Sequence, residues 1–334
     1  MIVKELSKLT QHHRQACDLY RYYVDSMFPL APVPKLLSDL PYLPVRAFKE
    51  HELKSVSDSQ VYKVMRSSGT SGHFSKIFLD KHTAQLQTRA LVDGFADYFG
   101  KGRFPMLIID NRKTVADRNF YSARTAAING FSMFSRGQCF ALDDDMEVDF
   151  PAVKAFLRKY EGTKIFVFGF TSIVWSKFIQ TLAKQAEVLD LSNTFLLHGG
   201  GWKKLESEKI SNNMFKEKIR QMTGCEQVHN YYGMVEQTGT IFMECESGNM
   251  HASAGADVLI RDPASLDVLD DGEPGLIQVF SAVQLSYPGH SILTEDVGQK
   301  YDGASCSCGR SGSILNVLGR MQHAELRGCS DAYS

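Results

Sequence analysis

Short apolar runs alternate with amphipathic stretches over the first two thirds of the chain. The runs Pro105 to Asp110, Lys164 to Gly169 and Thr194 to His198 are almost continuously apolar, which is typical of strands buried on both faces of a sheet. Helical periodicity lies between and after them, at Pro151 to Tyr160, Ser172 to Ala186 and Leu205 to Thr223. This alternation predicts an α/β fold whose parallel or mixed sheet carries helices on its faces.

The two ends of the chain have other patterns. Residues 1 to about 30 have apolar positions at helical spacing, and five of the ten prolines follow between Pro29 and Pro44. Strand and turn signals dominate after Tyr231, where Val258 to Arg261 and Leu276 to Ser281 predict a hairpin-like pair. We therefore predict an N-terminal segment over residues 1–60, a core over 61–318 with a strand-rich lobe from about 240, and a C-terminal tail over 319–334.

Composition excludes several classes of protein. Lys and Arg total 37 and Asp and Glu total 38, an even balance that argues against a protein that coats nucleic acid or an anionic membrane. The longest apolar run, Ile165 to Trp175, is far shorter than the ~20 residues of a membrane span. The seven scattered cysteines and the polar N-terminus predict reduced thiols and a cytoplasmic location.

A loop of glycine and hydroxyl residues lies between two predicted strands, Val61 to Met65 and Lys76 to Leu79. It comprises Ser68, Gly69, Thr70, Ser71 and Gly72, and Lys76 follows it. Glycines let a backbone approach a phosphate closely, hydroxyl and amide groups donate to its oxygens, and a lysine adds positive charge. Such a loop is either a plain hairpin turn, because serine and glycine favour turns, or a phosphate site.

Further short motifs follow this loop in order. They are His198-Gly199-Gly200-Gly201-Trp202, Asn230-Tyr231-Tyr232-Gly233-Met234-Val235-Glu236, Thr294-Glu295-Asp296 and Gly319-Arg320. Over roughly Ser67 to Gly328, the series resembles the adenylate-forming superfamily of acyl-CoA synthetases and related ligases. One departure is Glu295, which stands where that superfamily has glycine.

A closer resemblance is carried by the segments Pro41 to Lys49, Arg66 to Gly72, Phe168 to Thr171 and Arg327 to Ser330. They are similar to the acyl-protein synthetases of the bacterial luciferase fatty-acid reductase system. The resemblance implies the N-terminal core of an adenylate-forming enzyme, with layered mixed sheets, helices and a small strand-rich lobe but without the full C-terminal lid domain. It also implies ATP-dependent activation of a fatty acid to an acyl adenylate, followed by transfer to a protein thiol.

By the same resemblance, one set of residues binds ATP and Mg²⁺. The loop of Ser68 to Gly72 and Lys76 are expected to bind the phosphates, and Glu236 is expected to bind Mg²⁺. A second group is expected to contact adenine and ribose, namely Gly199, Gly200, Gly201, Tyr231, Tyr232, Gly233, Asp296 and Arg320. Attack of the acid on the α-phosphorus gathers negative charge on phosphate oxygens, so such a site needs hydrogen-bond donors and a cation.

The transfer step needs a nucleophile, and Cys329 is the candidate by resemblance. Only a thiolate attacks efficiently, and the charge of the nearby Arg327 favours that form. The alternative is an exposed cysteine without a role. A C-terminal tail suits the transfer, since it can enter the site to collect the acyl group and then swing out to an acceptor protein.

The acid itself needs an apolar pocket. Aromatic residues cluster around one predicted strand and the start of the next helix, and most of them fit a plain core. Phe170 and Thr171 follow Gly169 at the carboxyl end of that strand, the edge at which α/β sheets bind ligands. We expect these two residues to contact the acid.

Three cysteines and a histidine form a candidate zinc site. Cys245 and His251 lie six positions apart, and Cys306 and Cys308 are separated by one residue. Three thiolates and one imidazole make an ordinary tetrahedral zinc set, which would be structural because no coordination position stays open. The spacing is looser than that of a zinc finger, so two unrelated groups of thiols are the alternative.

The acceptor of the acyl group leaves alternatives open. The leading hypothesis is an acyl-protein synthetase that serves a reductase, transferase or carrier protein. The second is an acyl-CoA ligase of the phenylacetate-CoA ligase type, which would release the acyl group to CoA. The third is a catalytically silent module that binds nucleotide or acyl groups. None of the three calls for nucleic acid or a membrane span.

Overall fold

The computed structural model describes residues 2–28, 33–67, 74–116, 123–202 and 210–321. Their contacts divide them into two compact units. The first unit takes the described residues up to Gly100 and from Tyr232 onward, and the second takes those from Lys101 to Tyr231.

The elements are numbered along the chain. The strands are β1 Leu43–Pro44, β2 Lys63–Arg66, β3 Lys76–Leu79, β4 Phe104–Asn111, β5 Ser135–Leu142, β6 Ile165–Phe170, β7 Thr194–Gly199, β8 Gln227–Tyr232, β9 Phe242–Glu244, β10 Met250–Ala252, β11 Ala256–Arg261, β12 Gly275–Ser281, β13 Ser291–Tyr301 and β14 Ile314–Arg320. The helices are α1 Ile2–Ala16, α2 Asp18–Met27, α3 Ala47–Glu50, α4 Lys81–Phe99, α5 Lys113–Ala116, α6 Ala123–Ser132, α7 Phe150–Lys159, α8 Thr171–Ile173, α9 Gln180–Gln185 and α10 Asn212–Thr223. A π-helical turn, Val174–Ile179, joins α8 to α9.

The second unit is built on a parallel sheet of five strands in the order β5-β4-β6-β7-β8. The three strands predicted in this region are confirmed as β4, β6 and β7. Every residue of β6 and β7 is buried, which explains their uninterrupted apolar runs. The connection after β4 leads to β5, toward one edge of the sheet, and the connection after β6 leads to β7, toward the other edge. Open α/β sheets bind ligands where the connections diverge in this way, outside the carboxyl ends of the strands.

Local signals set the helix ends in this unit. Asp149 begins α7 by accepting a hydrogen bond from the Ala152 amide, and Ser211 begins α10 in the same way. Gly224 ends α10 in the left-handed conformation, at φ of 72°. The helices predicted at Pro151 to Tyr160 and Ser172 to Ala186 are confirmed, the second with its π-helical turn. Within the described ranges, no helix of either unit is long and apolar enough to cross a membrane.

The first unit contains a mainly antiparallel sheet. Its strands run in the order β11-β12-β13-β14-β10-β9, and β1 joins β13 in parallel. The predicted hairpin-like pair is confirmed as β11 and β12, in which Val258 lies opposite Val279. The two strands predicted around the glycine-hydroxyl loop form a separate antiparallel pair, β2 and β3.

The N-terminal helical stretch of this unit is broken into α1 and α2. The break falls at Cys17, which is extended at φ of −133° and ψ of 104°. Leu6 and Leu9 of α1 pack with Leu40 and Phe280, and Tyr20 of α2 is also buried. The helices are thus held to the unit by apolar contacts, each buried side chain contributing roughly 1.5–3 kcal/mol.

Candidate active site

Six of the predicted site residues lie outside the described residues. They are Ser68, Gly69, Thr70, Ser71, Gly72 and Cys329. Their roles in phosphate binding and acyl transfer stay predictions. The other predicted residues fall into separate groups within the two units.

The first unit contains the base of the glycine-hydroxyl loop. The amide of Ser67 donates to the Ser75 carbonyl at 3.1 Å, and the Ser75 amide donates to the Ser67 hydroxyl at 2.8 Å. These bonds close the chain just outside β2 and β3. Lys76, predicted to reach the phosphates, donates from Nζ to Glu52 at 2.9 Å, and this bond lowers the pKa of the Glu52 carboxyl. Glu52 lies outside the motifs that predict the site.

Tyr232, Asp296 and Arg320 come together in the same unit. The Tyr232 hydroxyl donates to Asp296 Oδ2 at 2.7 Å, and Arg320 Nε donates to Oδ1 at 3.1 Å. Asp296 and Arg320 lie directly opposite each other in β13 and β14. Burial, and then the charge of Asp296, raise the pKa of Tyr232 well above its usual value, so its hydroxyl keeps its proton. The arrangement fixes a partly exposed carboxylate in one orientation.

Glu236 lies in a short 3₁₀ turn, Val235–Gln237, just after β8. Its side chain is buried, at 3% exposure, as are the neighbouring Val235 and Gln237. A buried carboxylate is costly unless a cation or donors compensate its charge. Carboxylate oxygens are also what Mg²⁺ binds, so the residue is chemically suited to its predicted role.

The glycines after β7 lie against Tyr231 in the second unit. A Cβ atom at Gly199 would stand 2.3 Å from Cε1 of Tyr231, so only glycine permits the ring to lie this close. Gly200 has φ of 77°, a left-handed conformation that glycine adopts readily. Gly201 is exposed. The structure therefore brings the glycine motif and Tyr231 together at the carboxyl ends of β7 and β8.

Phe170 and Thr171 end β6 and begin α8 at the same edge of that sheet. The ring of Phe170 lies 3.3 Å from where a Cβ atom of Gly200 would be. The Thr171 hydroxyl lies 2.9 Å from Nδ1 of His198 and donates to the Gly199 carbonyl at 3.2 Å. Both residues are buried, at 2% and 5% exposure, so Phe170 contributes to the core as well as to this edge.

A buried ion pair lies at the carboxyl end of β4, beside the point where the connections diverge. Arg124 donates from Nε to Asp110 Oδ2 at 2.5 Å and from Nη2 to Oδ1. The Thr114 hydroxyl donates to the same carboxylate at 2.7 Å. Sequence reasoning missed this pair, although an aspartate at the end of an apolar strand is a signal for it.

Cys245, His251, Cys306 and Cys308 meet in the first unit, with all four ligand atoms within 4.8 Å of one another. Sγ of Cys245 lies 3.7 Å from Sγ of Cys306, and Sγ of Cys308 lies 3.3 Å from Nε2 of His251. Tetrahedral zinc forms bonds of about 2.3 Å to sulfur and about 2.0 Å to nitrogen. This geometry places two sulfur ligands about 3.8 Å apart, and a sulfur and a nitrogen ligand about 3.5 Å apart. The cluster can hold a metal ion of this kind.

The surroundings of the cluster favour the thiolate form at Cys306 and disfavour it at Cys245. The backbone N–H of Cys308 and the side-chain amide of Asn249 lower the pKa of the Cys306 thiol to about 6. Burial raises the pKa of Cys245. Gly248 and Gly309 take left-handed conformations, and their amides donate to the carbonyls of Cys245 and Cys306. Two tight turns therefore present the thiols, as ligand-bearing turns do.

Solved structures similar to this chain include adenylate-forming ligases. 2-Hydroxyisobutyryl-CoA ligase, in an open conformation with 2-HIB-AMP and CoA, matches 96% of this chain and 74% of its own, with a TM-score of 0.73 and 14% identity. The same ligase in its postadenylation state has a TM-score of 0.74 and 15% identity, and the match covers 96% of this chain and 67% of the ligase. ATP-bound MatB from Rhodopseudomonas palustris has a TM-score of 0.51 and 16% identity, and the match covers 80% of this chain and 49% of MatB. The predicted fold class, an adenylate-forming core, is confirmed.

The family model of the acyl-protein synthetases, LuxE, matches residues 2–334, and the chain belongs to this family. A relative named long-chain-fatty-acid–luciferin-component ligase, from Vibrio harveyi, is 22% identical over 331 residues, which is 96% of this chain and 84% of the relative. Its namesake from Aliivibrio fischeri is 22% identical over 270 residues, 78% and 69% of the two chains. The predicted family and the predicted enzyme class, an acid–thiol ligase, are confirmed.

Proposed function

We propose that this chain activates a long-chain fatty acid with ATP and passes the acyl group through Cys329 to an acceptor protein. In the first step a carboxylate oxygen attacks the α-phosphorus, the bond to the β-phosphate breaks, and pyrophosphate leaves. In the second step the Cys329 thiolate attacks the acyl carbon, and the carbon–oxygen bond to AMP breaks. The thioester then passes to the acceptor. A cytoplasmic location, where thiols stay reduced, suits this chemistry.

The trio of Tyr232, Asp296 and Arg320 is the observation that supports nucleotide binding best. Each carboxylate oxygen of Asp296 accepts one hydrogen bond from its neighbours. Each retains acceptor capacity, because a carboxylate offers about four lone-pair sites. Ribose hydroxyls can therefore donate to a carboxylate that is already oriented, which is how acidic residues commonly hold nucleosides.

The remaining roles follow the family resemblance. Glu236 would hold Mg²⁺, which would neutralise charge on the phosphates, and Lys76 would bind those phosphates in place of Glu52. Gly199 to Gly201 and Tyr231 contact the adenine. Phe170 and Thr171 contact the acid. Charge on the phosphate oxygens is thus met by donors held in place beforehand, the usual source of catalysis in phosphoryl and adenylyl transfer.

A second candidate function is an acyl-CoA ligase. It is favoured by the similarity to 2-hydroxyisobutyryl-CoA ligase, whose structure contains CoA and an acyl adenylate. The two functions share the first step and differ in the thiol that receives the acyl group. A catalytically silent module would carry out neither step.

One assay separates the three. The full chain is incubated with ATP, Mg²⁺ and labelled acids of increasing length, with and without CoA. We expect acid-dependent pyrophosphate release, label on the chain, and loss of that label in Cys329→Ala while release continues. Cys225→Ala, which changes a cysteine buried in the second unit, is the matched control and should keep the label. Label on CoA alone would identify the CoA ligase, and no release with any acid would identify the silent module.

We also assign a structural zinc ion to the cluster of three cysteines and His251. The purified chain is expected to hold one zinc ion, and Cys306→Ser is expected to lose it and to unfold at lower temperature, because metal binding contributes to folding directly. Metal analysis and thermal unfolding with and without a chelator measure this. Cys139→Ser, at a cysteine outside the cluster, should keep the metal. Equal zinc in both variants would contradict the assignment.

A further inference from the structure

Tyr287 links three parts of the first unit. It is fully buried in the loop between β12 and β13. Its hydroxyl donates to the backbone carbonyl of Glu236 at 2.9 Å and accepts from Nε2 of Gln87, on α4, at 3.1 Å. The ring packs edge-on against Phe48, with centroids 6.2 Å apart. The hydroxyl thus both donates and accepts a hydrogen bond, and the bond that it donates goes to the turn that carries Glu236.

The same loop approaches that turn too closely for a larger residue. A Cβ atom at Gly289 would stand 2.8 Å from the Glu236 carbonyl and 2.3 Å from the Tyr287 ring. From the turn itself, Nε2 of Gln237 donates to the carbonyls of Gly289 and Val279, at 2.9 and 3.1 Å. The Glu236 turn is therefore bonded to this loop through Tyr287 and Gly289, and to β12 through Val279.

We propose that Tyr287 is a positioning residue that fixes the Glu236 turn so that the carboxylate meets the metal ion of the nucleotide. This inference rests on the proposed function of Glu236 and adds a residue that acts through it. The mechanism is the one seen when partners behind a metal ligand set its orientation, and removal of such partners typically lowers metal affinity by about 10- to 100-fold.

The chemical state of Tyr287 suits a permanent tether. Burial raises its pKa, so the phenol remains protonated and keeps donating at any pH at which the protein works. The neighbouring Ser286 provides a matched comparison, since its buried hydroxyl donates at 2.8 Å to the carbonyl of Phe78 in β3 instead of the Glu236 turn. Tyr287 and Ser286 belong to the same loop, and each hydroxyl donates to a backbone carbonyl of another segment. Only the carbonyl bonded by Tyr287 belongs to Glu236.

The test compares Tyr287→Phe with Ser286→Ala in the full chain. Mn²⁺ replaces Mg²⁺, a non-hydrolysable ATP analogue replaces ATP, and electron paramagnetic resonance measures the dissociation constant of Mn²⁺ without turnover. We expect that constant to rise about tenfold in Tyr287→Phe and to stay unchanged in Ser286→Ala. Hydrogen exchange should quicken at the Gln237 amide, which donates to the Met234 carbonyl within the turn, in the first variant only.

Two further variants make each outcome decisive. Gln87→Leu leaves the donation to Glu236 intact, so it should affect Mn²⁺ less than Tyr287→Phe does. The positioning role of Tyr287 is overturned if Glu236→Gln loses Mn²⁺ affinity while Tyr287→Phe keeps it. It is also overturned if Tyr287→Phe and Ser286→Ala lose that affinity equally. In both cases the proposed role of Glu236 still stands. If Glu236→Gln binds Mn²⁺ normally, the proposed role of Glu236 fails and the inference fails with it.

Discussion

Replacement of Asp110 by alanine is expected to lower the free energy of unfolding of the second unit by about 3–5 kcal/mol. The Asp110 and Arg124 side chains are 1% and 2% exposed, so the variant would leave a guanidinium buried without its counter-charge. The Thr114 hydroxyl would lose the shorter of its two hydrogen bonds and keep the one to Asn111 Oδ1, at 3.2 Å. Urea unfolding followed by circular dichroism measures the loss.

An exposed ion pair of the same unit gives the matched control. Asp144 pairs with Lys113 at 3.1 Å, and both side chains are more than half exposed. Asp144→Ala should therefore cost less than about 1 kcal/mol. The double variant Asp110→Leu with Arg124→Met should recover most of the stability, because an apolar pair of similar volume removes the buried charge altogether. A single-variant loss as small as that of Asp144→Ala would contradict the expectation.

Strand prediction succeeded where burial on both faces left no polar position. β6 and β7 are buried from end to end, and their sequences reveal them without any knowledge of the fold. β5 was missed, because it lies at the end of the sheet order and its first half, from Ser135 to Gln138, is polar and only partly buried. Edge strands of this kind take their conformation from the neighbour with which they pair, and the local sequence does not contain that information.

The site was predictable only in part, and for a physical reason. Its residue types follow from chemistry, since nucleotide binding needs donors, a carboxylate and close backbone approach. Partner choice depends on distant segments, so the pairing of Lys76 with Glu52, 24 positions away, leaves no trace in a motif. The contact between Asp296 and Arg320 is also 24 positions long, but there the pairing of β13 with β14 brings two motifs together.

Acidification is expected to destabilise the protein steeply, because folding buries neutral histidines. Burial lowers the pKa of His198 and of His290 to about 3. His198 lies 2.9 Å from the Thr171 hydroxyl, and His290 lies 2.9 Å from the hydroxyl of Thr10 while stacking on His13. Burial also lowers the pKa of His13 well below its usual value. Below pH ~6.5 the unfolded chain binds protons that the folded chain excludes.

The stability of each unit is therefore complete above pH 6.5 and falls as the pH drops from 6.5 toward 3. His198 and His290 each lower the free energy of unfolding by about 1.4 kcal/mol per pH unit below 6.5, which amounts to about 2 kcal/mol at pH 5. His13 acts in the same direction. Urea unfolding between pH 7.5 and 5 measures the slope. Glutamine at His290 and asparagine at His198 should each reduce that slope by about 1.4 kcal/mol per pH unit, whereas His51→Gln, at an exposed position, should leave it unchanged. Slopes that stay the same in the first two variants would mean that folding does not hold these imidazoles neutral, and the acid sensitivity would have to arise elsewhere.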